Sequence, residues 1–93
     1  MVAEVDGRIV GFLAMDDSYI DRLYVHPDHQ RQGWGKRLLE VARRQSPAGV
    51  ELHTHLENRG ARSFYEANGF VAVRFGVSPA PESAPDVEYH WRP

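Results

Sequence analysis

The sequence of 93 residues contains no cysteine. The chain can therefore form no disulfide bond, has no thiolate nucleophile and cannot bind zinc through cysteine. It also lacks an apolar run of the roughly 20 residues that a membrane-spanning helix needs, and its start does not follow the basic-then-apolar pattern of a signal peptide. We therefore expect a cytoplasmic protein that does not insert into a membrane.

The sequence also has no excess of positive charge. The chain has 11 Lys and Arg against 13 Asp and Glu, which gives a formal net charge of −2. Domains that bind nucleic acid usually carry a strongly basic face, so nucleic acid is not expected as a partner. The hydrophobic share of 42% and the charged share of 26% are ordinary for a globular protein. This length suffices for a single domain spanning residues 1–93.

The first third of the chain predicts three strands joined by tight turns. Asp6-Gly7 lies between two apolar runs and predicts a type I′ hairpin turn, because both central positions of that turn need positive φ. The nearly continuous apolar character of the second strand predicts burial on both of its faces. The three strands are Met1–Val5, Arg8–Met15 and Tyr19–His26.

The rest of the chain alternates between helical and strand patterns. Apolar residues at helical spacing predict a helix over Trp34–Gln45 and a shorter one over Arg59–Asn68. Strands are predicted at Gly49–Leu56, Phe70–Val77 and Val87–Trp91, with a proline-rich loop before the last. The order β-β-β-α-β-α-β-β predicts an α+β fold (an α/β mixed sheet) with helices packed on it.

A glycine-rich segment, Gln30-Arg31-Gln32-Gly33-Trp34-Gly35-Lys36, lies between a predicted strand and a predicted helix. Glycine lets the backbone turn tightly, and the first amides of a helix have no partner within the helix. Together these features favour an anion site suited to a pyrophosphate. A glycine-rich turn without a ligand is the alternative. The third glycine of the dinucleotide fingerprint and the ending of a P-loop are both absent.

Two longer stretches resemble motifs of one enzyme family. The run LYVHPDHQRQGWGKRLLE resembles motif A of the GCN5-related N-acetyltransferases (GNAT), where Q/R-x-x-G-x-G/A follows the fourth strand, with Gln30, Gly33 and Gly35 at the defining positions. The run NRGARSFYEANGF is similar to motif B of that family. Its matching residues are Asn58, Ala61, Phe64, Tyr65, Gly69 and Phe70.

The resemblance implies a GNAT-like fold that is shortened at its N-terminus. Family members usually begin with a strand and two helices before the hairpin with which this sequence opens. The implied activity is transfer of the acetyl group of acetyl-CoA to a primary amine, by direct attack in a ternary complex and without a metal. Because the missing part normally helps build the acceptor pocket, the amine is not identified. A non-catalytic acetyl-CoA-binding module, a truncated remnant and a start codon set too far downstream are the alternatives.

The resemblance also implies roles for individual residues. Gln30 and the backbone amides of Arg31, Gln32, Gly33, Trp34, Gly35 and Lys36 would hold the pyrophosphate. Leu23, Tyr24 and Val25 would lie along the pantetheine arm, and a bulge there would free the Val25 N–H to stabilise the oxyanion. Asn58 would bind the pantetheine, cap the second helix, or do both. Tyr65 would protonate the leaving thiolate, unless it is only a core aromatic.

Other residues stay without an assigned role. Candidates for the general base are Asp21, Arg22, His26, His55 and Glu57, and a water chain is a further route for the proton. The histidines at His26-x-x-His29, His53-x-His55 and His90 suggest a metal site, but hydrogen-bonded or solvated histidines are the better explanation, and no metal is expected.

The first strand bears on the oligomeric state. Without the family's preceding strand, Met1–Val5 becomes an exposed sheet edge. We therefore expect a homodimer or a larger assembly in which a neighbouring copy covers that region.

Overall fold

The computed structural model describes residues 1–93 as a six-stranded mixed sheet with two α-helices. The sheet order is β1-β2-β3-β4-β6-β5, and the pair β3–β4 alone is parallel. The strands are β1 (Val2–Val5), β2 (Arg8–Asp16), β3 (Tyr19–Val25), β4 (Val50–His55), β5 (Val71–Val77) and β6 (Pro85–Trp91); the helices are α1 (Trp34–Gln45) and α2 (Arg59–Ala67). The predicted fold class and element order are confirmed.

A 3₁₀ turn at Pro27–His29 was not predicted, since three residues carry no periodic pattern. The predicted type I′ turn is present, because Asp6 and Gly7 have φ of 50° and 77°. Neither helix has the length and apolar character that crossing a bilayer requires.

Both helices pack on the same face of the sheet. Leu38, Leu39 and Ala42 of α1 join Tyr65 of α2 in one buried cluster, together with Leu13, Ile20, Val50, Leu52, Phe70, Val87 and Tyr89. The helices also touch each other where α1 begins, since a Cβ on Gly35 would lie 3.0 Å from Phe64 Cζ. Gly35 is therefore needed for the close approach of the two helices.

The opposite face of the sheet carries no helix, and we call it the open face. Its side chains include Phe12, Tyr19, Tyr24, His53 and Glu88. The prediction that β2 is buried on both faces is wrong, because Ile9 is 58% exposed and Phe12 is only partly buried against Tyr24, at a ring distance of 5.6 Å. An apolar sequence alone does not reveal how many layers cover a strand.

Strands β3 and β4 separate almost as soon as they meet. Their parallel ladder contains the pair Tyr19 and Glu51, where the Glu51 N–H donates to Ser18 O at 2.9 Å. Beyond this pair the strands diverge and leave an opening between their carboxyl ends. The carboxyl edge of strands in an α/β sheet is the usual place for a ligand.

Candidate active site

The opening between β3 and β4 is a cleft of about 350 Å³ that runs through the sheet. Its residues come from both faces, since Tyr65 lies on the helix side and His53 on the open face. Helix α2 contributes Asn58 at its N-cap, Ala61 and Tyr65; the strands contribute Phe12, Ile20, Asp21, Arg22, Leu23, Tyr24, Leu52, His53 and Thr54. Of the predicted cofactor residues, Leu23, Tyr24, Asn58 and Tyr65 therefore meet in one cleft.

The Val25 amide faces this opening, although not for the reason that was predicted. The bulge of β3 lies at Asp21, since Arg22 pairs with Ala14 and Ile20 with Met15, whereas Val25 pairs regularly with Gly11. The expected bulge at Val25 is wrong because the end of β3 is held in register by the His26 N–H, which donates to Val10 O at 2.7 Å. Since successive amides of a strand point to opposite sides, the Val25 N–H points away from β2 and towards β4.

Gln30 ties the glycine-rich loop to this strand. Its Nε2 donates to the Val25 carbonyl at 3.1 Å, on the same side of the strand as the Val25 N–H. The loop that follows is thereby held beside the end of β3. Gln30 thus has a structural contact that accounts for its position.

Gly33 occupies the N-cap position of α1 with φ of 86°, and Arg31, two residues earlier, also has positive φ, at 65°. No protein atom lies within 4 Å of the place where a Cβ on Gly33 would stand. The first-turn amides of Trp34, Gly35 and Lys36 have no partner within the helix. The loop is therefore an open cradle of backbone amides, an arrangement that suits an anion.

Asn58 caps helix α2 as predicted. Its Oδ1 accepts a hydrogen bond from the Ala61 N–H at 3.1 Å. The same side chain lines the opening. Capping uses the oxygen of the amide, so the Nδ2 group is available to donate into the cleft.

Tyr65 lies between the hydrophobic core and the opening. Its ring packs against Phe64, Phe70 and Tyr89 at centroid distances of 5.3, 5.6 and 6.1 Å, and the residue is only 8% exposed. It nevertheless borders the opening. Burial raises the pKa of the Tyr65 hydroxyl to about 12, so this group keeps its proton over the whole physiological range.

A second cavity of about 640 Å³ lies on the open face, and we call it the acidic cleft. It shares Asp21, His53 and Thr54 with the opening, so the two cavities lie side by side. Four carboxylates and one arginine line it, which gives an excess of negative charge. Its charged and histidine residues are Asp21, His53, His55, Arg74, Glu82, Asp86 and Glu88.

The structure separates the predicted candidates for the general base. Asp21 and His55 line the acidic cleft and Arg22 lines the opening, whereas His26 and Glu57 line neither cavity. His55 faces Glu82 at 3.1 Å. His53, which had been considered only as a metal ligand, forms a hydrogen bond with Tyr19 at 2.8 Å. The alternation of β4 signalled that His53 shares a face with His55, but not that Tyr19 meets it there.

Residues 1–72 match the family model of the acetyltransferase (GNAT) domain. The chain belongs to the GNAT family. The assignment to this family from the two sequence motifs is thereby confirmed. The match ends at Ala72, so the β6 residues of the acidic cleft lie beyond the part that this family model covers.

Relatives of this GNAT chain include enzymes with different acceptors in their names. It is 33% identical over 73 residues to peptidyl-lysine N-acetyltransferase YiaC of Escherichia coli, covering 77% of this chain and 49% of YiaC. It is 36% identical over 74 residues to mycothiol acetyltransferase of Nocardiopsis dassonvillei, covering 74% of this chain and 22% of that protein. The chain thus spans about half the length of YiaC and about a fifth of the length of the mycothiol acetyltransferase.

Solved structures share the GNAT fold of this chain. Apo-form YjaB of Escherichia coli has a TM-score of 0.87 at 25% identity, covering 97% of this chain and 62% of YjaB. A Bacillus anthracis protein in complex with acetyl coenzyme A has a TM-score of 0.89 at 24% identity, covering 98% of this chain and 60% of that one. The backbone arrangement is therefore that of the family even where the sequences have diverged.

Proposed function

We propose that this chain is an N-acetyltransferase that moves the acetyl group of acetyl-CoA onto a primary amine by direct attack in a ternary complex. One observation carries the proposal. The opening between β3 and β4 is lined by Ala61 and Tyr65 of α2 on the helix side of the sheet and by His53 on the open face, where the acidic cleft adjoins it. Two substrates can therefore reach one point from opposite faces. The family membership of the chain supports the same conclusion.

The donor side is formed by backbone groups. In this proposal the amides from Arg31 to Lys36 bind the pyrophosphate, while Leu23 and Tyr24 on β3 and Asn58 on α2 flank the pantetheine arm. Acetyl-CoA supplies an activated thioester when it is bound. The Bacillus anthracis protein with the same fold was solved with this molecule. No metal is part of the proposal.

Two groups of the chain act on the reacting atoms. The Val25 N–H donates to the oxygen that becomes negative when the amine attacks, and such a donor contributes roughly 3 to 4 kcal/mol in other acyl-transfer enzymes. Tyr65 gives its proton to the departing thiolate. Its raised pKa means that the proton is present at neutral pH, and a thiolate that leaves without protonation is disfavoured in this apolar surrounding.

We propose that the acceptor carries positive charge. Asp21 and Asp86 line the acidic cleft and take part in none of the ion pairs of the chain. Their charge is therefore free to attract a cation. YiaC, named as a peptidyl-lysine N-acetyltransferase, acts on a side chain that is cationic before it is deprotonated. An alkyl ammonium of this kind fits the cleft.

The double variant Asp21→Asn/Asp86→Asn is expected to raise KM for a cationic amine about tenfold at low ionic strength, with a smaller effect on kcat. The reason is that two unpaired charges no longer attract the acceptor, and salt screens such an attraction. Steady-state kinetics at low and high salt measures both parameters. The control is an amine acceptor that carries no positive charge besides its own ammonium group. An unchanged KM at low salt would contradict a cationic acceptor.

The experiment for the proposed function has two stages. Acetyl-CoA is first titrated calorimetrically into the 93-residue chain, and micromolar binding is expected. The chain is then incubated with acetyl-CoA and lysine-containing peptides, polyamines and aminoglycosides, and acetylated products are found by mass spectrometry. Binding without any acetylation favours the non-catalytic module. No binding by a folded chain removes the enzyme proposal for this chain.

We also propose that the chain forms a homodimer. Edge strand β5 exposes Val71, Val73, Phe75 and Val77 by 63, 48, 62 and 66%, and an apolar sheet edge favours pairing with another chain. Light scattering at micromolar concentration is expected to give twice the 10.6 kDa of one chain. Phe75→Lys is expected to shift the mass towards the monomer, with Val2→Lys on the other edge as comparison. A monodisperse wild-type monomer would overturn this proposal.

The cytoplasmic location expected from the sequence stays a prediction. Fractionation of cells that express a tagged chain measures it directly.

A further inference from the structure

Three side chains form a connected row across the open face. The Tyr19 hydroxyl lies 2.8 Å from His53 Nδ1, and His53 Nε2 lies 3.5 Å from a Glu88 carboxylate oxygen. The three residues come from β3, β4 and β6, which are adjacent in the sheet. The backbone ladder therefore sets their spacing. The His53 side chain is 41% exposed and Glu88 only 13%, so the row runs from the solvent-facing cleft to a sheltered carboxylate.

The groups in the row determine which of its atoms donate hydrogen bonds and which accept them. The pKa of Glu88 is lowered, first by its hydrogen bond with His90 and also by Arg74, so its carboxylate is ionised and can only accept. His53 Nε2, which faces that carboxylate, is then the protonated nitrogen. His53 Nδ1 is left as an acceptor, and the Tyr19 hydroxyl donates to it. The pKa of Tyr19 is raised, chiefly by burial and then by Asp21, Asp86 and Glu88, which keeps the phenol protonated.

The row also lies beside the path that an acceptor would take through the acidic cleft to the opening. Tyr19, His53 and Glu88 all line the acidic cleft, and His53 lines the opening as well. We propose that Tyr19, His53 and Glu88 are a proton relay that removes the proton of the attacking amine. This inference rests on the proposed acetyltransferase function. It assigns the general base that the sequence left open, and it assigns it to none of the residues considered there.

The proton transfers balance in this relay. The amine nitrogen bonds to the acyl carbon while its N–H bond breaks, and that proton goes to Tyr19 Oη. The original Tyr19 proton passes to His53 Nδ1, which leaves an imidazolium next to the Glu88 carboxylate. The electron pair of the broken C–S bond stays on sulfur, which receives the Tyr65 proton. His53 then returns its proton to solvent, and Tyr65 regains one from it.

Carboxylates surround His53 in the acidic cleft. Asp21 on β3 and Asp86 on β6 line the same cleft, and both are negative. Arg74 on β5 lies 3.4 Å from Glu88 and offsets part of that charge, while His90 on β6 hydrogen bonds to Glu88 as well. His55 on β4 faces Glu82 instead. The positive charge that His53 carries during the transfer therefore lies among carboxylates.

The test uses the full 93-residue chain with wild-type, Tyr19→Phe, His53→Gln, the double variant and His55→Gln. Each single relay variant is expected to lower kcat about 10²-fold. The double variant is expected to lose no more than either single one, because the two residues act as a unit. His55→Gln is expected to lower kcat far less than His53→Gln, because His55 faces Glu82 and lies outside the row. Acetyl-CoA affinity is expected to change by less than about twofold.

Two further measurements test the relay independently of the turnover of the single variants. Imidazole in the buffer is expected to restore part of the rate of His53→Ala. Nitrogen-15 NMR of the ring is expected to report an Nε2–H tautomer in the wild type that is altered in Tyr19→Phe. An Nδ1–H tautomer, or full kcat in both single variants, overturns the relay alone. A wild-type chain that acetylates no amine overturns the proposed function and the relay together.

Discussion

Tyr65→Phe is expected to lower kcat by about 10² to 10³-fold while the Kd for acetyl-CoA changes by less than about threefold. The substitution removes only the hydroxyl of a residue that borders the opening, and it leaves the ring packing against Phe64 and Phe70 intact. Loss of the proton donor slows departure of the thiolate but removes little binding area. Steady-state kinetics and calorimetric titration measure the two quantities separately.

Tyr89→Phe is a matched control for this prediction. Tyr89 belongs to the same buried cluster, but its hydroxyl bonds Glu66 and accepts from Arg62 Nε at 3.0 Å, away from both cavities. This variant is expected to lose about 1 kcal/mol or more of stability and to keep its kcat. Equal losses of kcat in both variants would mean that Tyr65 acts through the core alone.

Alkaline unfolding gives a second measure of the Tyr65 environment. Its folded pKa of about 12 lies above the ordinary value of 10.0. Between these values the unfolded chain loses the Tyr65 proton while the folded chain keeps it, so the free energy of unfolding falls as pH rises. The fall reaches roughly 2 to 3 kcal/mol above the folded pKa. Tyr65→Phe lacks this contribution, and denaturant titrations from pH 9 to 11.5 should show the difference.

Gly33→Val is expected to weaken acetyl-CoA binding at least about 100-fold, which corresponds to roughly 2.7 kcal/mol. Gly33 has φ of 86° and open space around its missing Cβ, so an added side chain would stand in the amide cradle. The same backbone conformation also strains any L-residue by about 1 to 2 kcal/mol. Calorimetric titration of the folded variant measures the affinity.

Gly7→Val separates the cradle from this strain. Gly7 has φ of 77° and likewise no atom within 4 Å of a Cβ, but it lies in the β1–β2 turn. Both variants should lose similar stability, whereas only Gly33→Val should lose binding. Retained affinity in Gly33→Val would contradict the assignment of this loop to the pyrophosphate, and a parallel loss in both would indicate a general effect on folding.

Local sequence signals predicted the elements well because their causes are local. The Asp6-Gly7 turn, the Asn58 cap and the apolar spacing of α1 each act within a few residues, and the structure has all three. The same signals misjudged β2, whose exposed Ile9 depends on what packs above it. The resemblance to the family put the bulge of β3 at Val25 instead of Asp21, since the register is decided by the neighbouring strand.

The sequence by itself determined the family, the element order and the glycine-rich loop, because motifs and periodicity are properties of neighbouring residues. Only the tertiary structure decided which side chains meet. Tyr19, His53 and Glu88 are separated by more than 30 residues at each step along the chain, yet they form one row because β3, β4 and β6 lie side by side. The divergence of β3 from β4 that opens the cleft is likewise invisible in sequence, since pairing between distant strands depends on the packing of the whole sheet.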